Sequence, residues 1–154
     1  MALHPVTPSD VDDLRSFLDE MDLTLAGLDD PTVRLWIERA HDGAIIGSTG
    51  YEASSGGEHA LIRSVAVAPT HRSAGAGTRL ARFALQAAAH SGARRAWLFS
   101  RRSGPFWRGL GFEAADRAEL ATVLEQTHQV RLFVQTGQLA REVAWSRDLG
   151  DQSG

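Results

Sequence analysis

The sequence predicts an α/β (α+β) domain built on a mixed, mostly antiparallel sheet. Three observations carry that reading. Alternating apolar segments, the period of half-buried strands, cluster between residues 33 and 68 and are separated by short turn signals. A valine-rich strand then feeds a glycine loop and a long helical segment ending near His90. Shorter strand-like and helix-like segments follow, so strands both precede and follow helices.

The elements are expected in this order. Leu3 to Val6 alternates weakly, as a short strand. Pro8-Ser9-Asp10 reads as a helix start with Ser9 or Asp10 as the cap, and Val11, Leu14, Phe17, Leu18 and Met21 give that helix one apolar face. A second short helical piece is expected from Leu23 to Leu28, before the breaker Asp29-Asp30-Pro31. Val33, Leu35 and Ile37 alternate; Asp42-Gly43 turns the chain, and Ala44 to Glu52 returns as the second arm of a hairpin. Gly47 and Gly50 lie inside that arm, where glycine marks a bulge or a close approach. Ala60 to Ala68 is a third strand. A helix is expected from about Gly75 to His90, stopped at Ser91-Gly92. Ala96 to Ser100 is a short strand, and Ser103-Gly104-Pro105 opens a short helix. Asp116 caps a helix to about Glu125, and Leu139 to Trp145 is the expected last strand.

The 154 residues suit one domain, expected over residues 1–149, with 150–154 as a flexible tail. Hydrophobic residues make up 43% and charged residues 23%, as in an ordinary soluble protein. The net charge of −3 gives no bulk attraction to nucleic acid or anionic membrane, and the basic residues gather on no single element. Cysteine is absent, which excludes disulfides, thiolate metal sites and a cysteine nucleophile. The six histidines show no metal-ligand spacing, so no metal is expected. Met1 to Asp10 lacks the pattern of a signal peptide, and no run reaches the roughly 18 apolar residues of a spanning helix. A cytoplasmic location is the expectation.

The segment from Val65 to Gly77 is the most informative. A strand (Val65, Ala66, Val67) ends at Pro69 and opens a helix through Arg72-Ser73-Ala74-Gly75-Ala76-Gly77-Thr78. The first turn of a helix has amides without internal partners, and the helix dipole adds positive potential. The glycines allow close approach and Arg72 adds fixed charge, so the segment forms a phosphate cradle. A Walker loop needs Gly-Lys-Ser/Thr, whereas this one has Gly77-Thr78-Arg79. A Rossmann fingerprint needs a third glycine where Leu80 stands.

On Arg72, Gly75 and Gly77, after a Val-x-Pro strand end, the chain resembles the GCN5-related N-acetyltransferase (GNAT) superfamily. A second signature agrees: Phe106-Trp107-Arg108-Gly109-Leu110-Gly111-Phe112 is similar to the family's Phe-Tyr-x-x-x-Gly-Phe helix and strand. The resemblance implies a sheet splayed into a V-shaped cleft for acetyl-coenzyme A. It implies that Val65, Ala66 and Val67 bond the pantetheine arm. Amides from Arg72 to Thr78 would hold the pyrophosphate, with Phe106 and Arg108 also at the cofactor. It further implies direct attack of an amine on the thioester, and dimers are common in the family. A narrower likeness rests on Asp29-Asp30-Pro31, Gly50-Tyr51-Glu52, the segment Leu61 to Val67, and Asp116-Arg117-Ala118-Glu119. These look like the acetyltransferases encoded beside arsenic-resistance genes, which are close to amino-acid acetyltransferases. The Cys-Pro pair of that group is missing, and Val130-Arg131-Leu132-Phe133 stands there instead.

Direct attack requires a neutral amine and a departing thiolate. Many relatives place a tyrosine acid where this chain has Trp107; the one tyrosine is Tyr51. Ser103, with Ser100, is the candidate donor to the sulfur, and solvent is the alternative. Glu52 is the candidate base, because it ends a central strand among apolar neighbours, where lost hydration makes a carboxylate more basic. Glu58 is second choice. Arg63 shares strand parity with Val65 and Val67, and a cation there needs either a substrate carboxylate or an acid such as Glu52. Arg101 and Arg102 sit at the rim. The expected function is acetyl transfer to a small-molecule amine, an amino acid or related carboxylated amine. A protein amine as acceptor, or a noncatalytic acetyl-coenzyme A sensor, are the alternatives.

Overall fold

The computed structural model describes residues 3–73 and 75–150. Seven strands form one sheet: β1 (His4–Pro5), β2 (Val33–Arg39), β3 (Ile45–Ala53), β4 (His59–Val67), β5 (Arg95–Phe99), β6 (Glu113–Ala115) and β7 (Ala144–Asp148). Their order across the sheet is β1-β2-β3-β4-β5-β7-β6. Every pair is antiparallel except β4 with β5. The helices are α1 (Val11–Glu20), α2 (Ala76–His90), α3 (Gly104–Gly109), α4 (Arg117–Val123) and α5 (His128–Thr136).

The hairpin read from Asp42-Gly43 forms, with Leu35 opposite Gly50. Glycine is needed at 50: a Cβ there would lie 2.3 Å from the Arg34 carbonyl. Alternation puts Leu35 and Ile37 against Leu14 and Leu18 of α1 in one core. Helix α2 covers another part of the sheet with the small side chains Ala81, Ala84 and Ala88. Its close approach leaves a Cβ at Gly47 only 3.2 Å from Leu80. A third core joins Leu61 and Trp97 to Leu120, Leu124 and Val130 of α4, α5 and their junction.

Two strand features shape the site. The parallel ladder between β4 and β5 stops after Leu61↔Trp97, although both strands continue. From Ile62 onward β4 diverges from β5, and its backbone on that side has no strand partner. In the same stretch β4 carries a bulge. Gly50 pairs with Arg63 and Ser48 with Ala66, so Ser64 and Val65 together oppose Thr49. Ser64 has φ +61°, the left-handed region that a non-glycine residue rarely enters.

Three expectations are corrected. Residues 23–28 form turns, not a helix; Gly27 at φ +75° breaks so short a segment. The last strand begins at Ala144, because Gln138–Arg141 winds into a 3-10 turn after Gly137 reverses the chain at φ +76°. Helix α4 ends at Val123, and α5 follows it unforeseen. The signals for α5 were present: Thr127 caps it by accepting from the Val130 amide, and Gly137 ends it. The expected tail beyond Gly150 lies outside the described residues. Among those described, no helix is long and apolar enough to cross a membrane.

Candidate active site

The divergence of β4 from β5 opens a cleft of about 580 Å³. One wall is β4 from Ile62 to Val67. The other is the end of β5 with Ser100, Arg102, Ser103, Phe106 and Trp107, and the start of α2 (Ala76, Gly77) closes the far end. Backbone left unpaired along β4 can accept and donate to an extended ligand, as an added strand would.

The glycine loop stands at the mouth. Gly75 is the N-cap of α2 at φ +89°, a conformation glycine adopts without strain. Glycine brings no capping side chain of its own, so the first-turn amides and the helix dipole can face an arriving anion. Arg72 folds back, donating from Nε to the Val67 carbonyl at 3.2 Å and from Nη2 to the Met21 sulfur at 3.7 Å. Ser73 lines the cleft beside it. Ala74 lies outside the described residues.

A second cavity, of about 930 Å³, adjoins the first and shares Met21, Leu23, Phe99, Ser100, Ser103 and Gln129 with it. It is lined by apolar side chains (Leu25, Leu132, Phe133) and by charged ones (Asp19, Asp22, Arg101, Arg102, Arg141 and the buried Glu142). Arg101 pairs with Glu142 at 3.4 Å. Arg102 and Arg141 have no side-chain partner among the described residues. Ser100 and Ser103 stand where the cavities meet; Ser100 Oγ accepts from the Ser103 amide at 3.1 Å, and the Ser103 hydroxyl is unengaged among the described residues. Gln129 also faces both. Its Nε2 donates to Thr24 Oγ1 at 2.9 Å, and its Oε1 is buried without a donor.

Behind the bulge lies a buried ion pair. Arg63 Nη1 donates to Glu52 Oε2 at 2.9 Å, with the two side chains 0% and 3% exposed. Arg63 also donates to Ser64 Oγ (3.2 Å) and to the Thr24 carbonyl (3.3 Å). Burial lowers the proton affinity of the Arg63 guanidinium, and the Glu52 charge opposes that shift. Glu52 in turn accepts from the amides of His128 (2.7 Å) and Gln129 (3.2 Å) at the start of α5. Each of its oxygens is filled by the protein, and it lines neither cavity. His128 Nε2 meets Asp30 Oδ2 at 2.7 Å, tying the same helix to the loop before β2.

Among the residues singled out from sequence, Arg63, Val65, Ala66, Val67, Arg72, Ser73, Ala76, Gly77, Ser103 and Phe106 all line the first cleft. Of the two partners expected for Arg63, the acid is the one present: its guanidinium donates to Glu52, Ser64 and Thr24, and its side chain is fully buried. Thr78 lies inside the first turn of α2, away from the lining. Arg108 is displaced from the expected cofactor side; its guanidinium lies 5.0 Å over the Trp145 ring and outside both cavities. Trp107 is 8% exposed, packs edge-on against Phe106 and Phe112, and borders the cleft. Sequence reasoning missed Met21, Leu23, Thr24 and Gln129. They sit on a turn and an unforeseen helix with no motif of their own. Among the described residues no cluster of three His, Asp or Glu is placed to hold a metal ion.

The sequence model of the acetyltransferase (GNAT) family matches residues 4–112. No curated protein sequence matches the chain. Among solved structures, an acetyltransferase of the GNAT family from Staphylococcus aureus superposes with a TM-score of 0.74 at 13% identity, covering 97% of this chain and 99% of that one. The Tetrahymena GCN5 structure gives 0.72 at 10% identity, with 97% of each chain covered. N-acetylglutamate synthase from Neisseria gonorrhoeae, complexed with coenzyme A and N-acetyl-glutamate, gives 0.71 at 18% identity over 97% of this chain. This chain spans only 35% of that synthase's length. At such identities the neighbours establish the shared fold. The family match covers more than half of the sequence and includes both the glycine loop and the Phe106–Phe112 signature, so the chain belongs to the GNAT acetyltransferase family.

Proposed function

We propose that this protein transfers the acetyl group of acetyl-coenzyme A to the amine of a small molecule, an amino acid or related carboxylated amine. The observation that carries the reading is the junction of the two cavities at Ser100, Ser103 and Gln129. An extended thioester lying along β4 would end there, and an amine entering from the larger cavity would meet it.

In this reading the α2 N-terminus, Arg72, Ser73, Gly75, Gly77 and Thr78 hold the pyrophosphate. Ala74 belongs to the same proposal through the loop's sequence. The unpaired backbone of Val65, Ala66 and Val67 holds the pantetheine arm, and Phe106 packs against it. The amine nitrogen attacks the thioester carbonyl carbon, the carbon–sulfur bond breaks, and the thiolate departs. Ser103, aided by Ser100, donates a hydrogen bond to that sulfur. The proton lost by the amine passes to water in the wide second cavity. Glu52 is the alternative base. Its filled oxygens favour a different role, that of a strut holding Arg63 and the start of α5. Arg102 and Arg141, cations without side-chain partners among the described residues, suit the carboxylate of the acceptor.

A second reading has one observation in its favour. Trp107 replaces the tyrosine that serves many relatives as acid, as it would in a protein that binds acetyl-coenzyme A without turning it over. Thiol release from acetyl-coenzyme A with a panel of amino acids and amines, with products identified by mass spectrometry, separates the two. Amine-dependent release of coenzyme A with an N-acetylated product supports transfer. Tight binding without release across the panel supports the sensor.

A further inference from the structure

We infer that Ser48 is a positioning residue for cofactor binding: its hydroxyl clamps Ser64 in a left-handed conformation and so keeps β4 bent away from β5 along the cleft. The inference rests on the proposed acetyl-coenzyme A site.

Ser64 lines the cleft at φ +61°, inside a strand, without being glycine. The other non-glycine residue at positive φ, Asp22, follows the end of α1, where such a conformation is ordinary. A left-handed residue in a strand interior persists only when its surroundings over-determine it. Two contacts do so here. Ser48 Oγ donates to the Ser64 carbonyl at 2.6 Å, across the strand pair and fully inside the protein. Arg63 Nε donates to the Ser64 hydroxyl at 3.2 Å, and Arg63 is itself held by Glu52. The neighbouring Thr49, opposite the bulge, donates to the Leu80 carbonyl of α2 at 2.7 Å. Bulge and cofactor helix are thus fixed by adjacent residues of β3.

The position of the bulge gives it a consequence. It lies three residues beyond Leu61, where the ladder to β5 ends. A bulge bends its strand and adds twist. Without it, β4 would continue in register beside β5, and the groove that receives the ligand would narrow. A glycine at 64 would accept the same φ unaided. Serine requires restraint, and the Ser48 hydroxyl of β3 supplies one of the two contacts that give it.

The test uses the full chain and two readouts. NMR backbone shifts and couplings report φ at residue 64 in the ligand-free protein, and calorimetry reports acetyl-coenzyme A affinity. Ser48→Ala should lose the positive φ and bind acetyl-coenzyme A about tenfold more weakly, the order of the left-handed penalty. In the Ser64→Gly background, where no left-handed penalty is left to offset, adding Ser48→Ala should cost less than about twofold in affinity. Should Ser48→Ala fail to fold, Ser48→Thr and Ser48→Val make the comparison at equal volume, and only the valine should weaken binding. A positive φ retained in Ser48→Ala, unchanged affinity despite its loss, an undiminished cost of Ser48→Ala in the Ser64→Gly background, or equal affinities for the threonine and valine variants would each overturn the inference. If the parent itself binds no acetyl-coenzyme A, the proposed function falls, while the φ measurement still decides whether the clamp exists.

Discussion

The two cavities are built in opposite ways. The first draws one side from a single stretch of chain: β4 from Ile62 to Val67, then Arg72 and Ser73, then Ala76 and Gly77 at the start of α2. The second is assembled from side chains on four separate stretches, at 19–26, 99–103, 129–133 and 138–142. A backbone cradle suits a constant ligand such as a pyrophosphate, whose geometry never changes. A wall of side chains can be altered one residue at a time without disturbing the fold. The family is therefore readable from the first cavity, and the proposed acceptor would be selected by the second. Between them runs the buried chain Ser64–Arg63–Glu52–His128.

Cutting that chain should give the largest effect. Glu52→Gln leaves the Arg63 cation buried without its counter-charge, which should destabilise the fold by about 3–5 kcal/mol. Urea or thermal unfolding measures it. If Glu52 is a strut, turnover per folded molecule should fall modestly at a temperature where the variant is native. A loss of activity beyond about a hundredfold with unchanged unfolding would make Glu52 the base instead, and would place catalysis behind the wall rather than at the junction.

The next prediction addresses the backbone cradle alone. Gly75 has φ +89° and open space around its Cα, so only conformation opposes a side chain there. Gly75→Val combines the left-handed penalty with β-branching, which should distort the first turn of α2. Acetyl-coenzyme A affinity should fall at least tenfold by calorimetry. Unchanged affinity would show that the α2 N-terminus is not the anchor. The side-chain wall should answer more gently. Arg141 lines the second cavity only and is exposed. Arg141→Ala should raise KM for a carboxylated amine by about two- to fivefold, the scale of an exposed ion pair. The effect should shrink with salt, and KM for acetyl-coenzyme A should not move. An equal rise for an uncharged amine would remove Arg141 from carboxylate recognition.

The same contrast explains what was legible in the sequence. The hairpin, β4, the loop and α2 follow from alternation, Asp42-Gly43, Pro69 and paired glycines, all local signals. Arg63 was recognisable as a cation needing a partner, because parity set it among apolar residues, but parity cannot name the partner. The bulge at Ser64 was hidden: no glycine marks it, and the hydroxyl that holds it comes from a residue 16 positions earlier in the chain. Helix α5 is bracketed by Thr127 and Gly137, but only Val130 and Phe133 are buried on it, too few apolar positions to mark a helical face. Without α5 there was no reason to single out Gln129. Residues 23–28 misled in the other direction, since leucines spaced two and three apart suit a helix that Gly27 interrupts.

The smallest effect should appear in acid, at the contact between the loop before β2 and the start of α5. Asp30 has its carboxyl lowered to about 2, chiefly by the Thr32 amide, then by His128 and the Thr32 hydroxyl. A depressed carboxyl stabilises the fold above its unfolded value of about 4, and that contribution is lost as pH falls through about 2. Asp30 holds His128, whose amide is bound to Glu52, so residues 24–30 and the start of α5 should loosen first. Between pH 5 and pH 2 the parent should lose slightly more stability than Asp30→Asn, which has nothing to titrate there. Hydrogen exchange should rise around residues 24–30 and at the start of α5 before it rises in β4. Earlier opening of β4 would mean that the acid-sensitive hinge belongs to the cofactor cradle, and would reverse the division between a fixed cofactor wall and an adjustable acceptor wall.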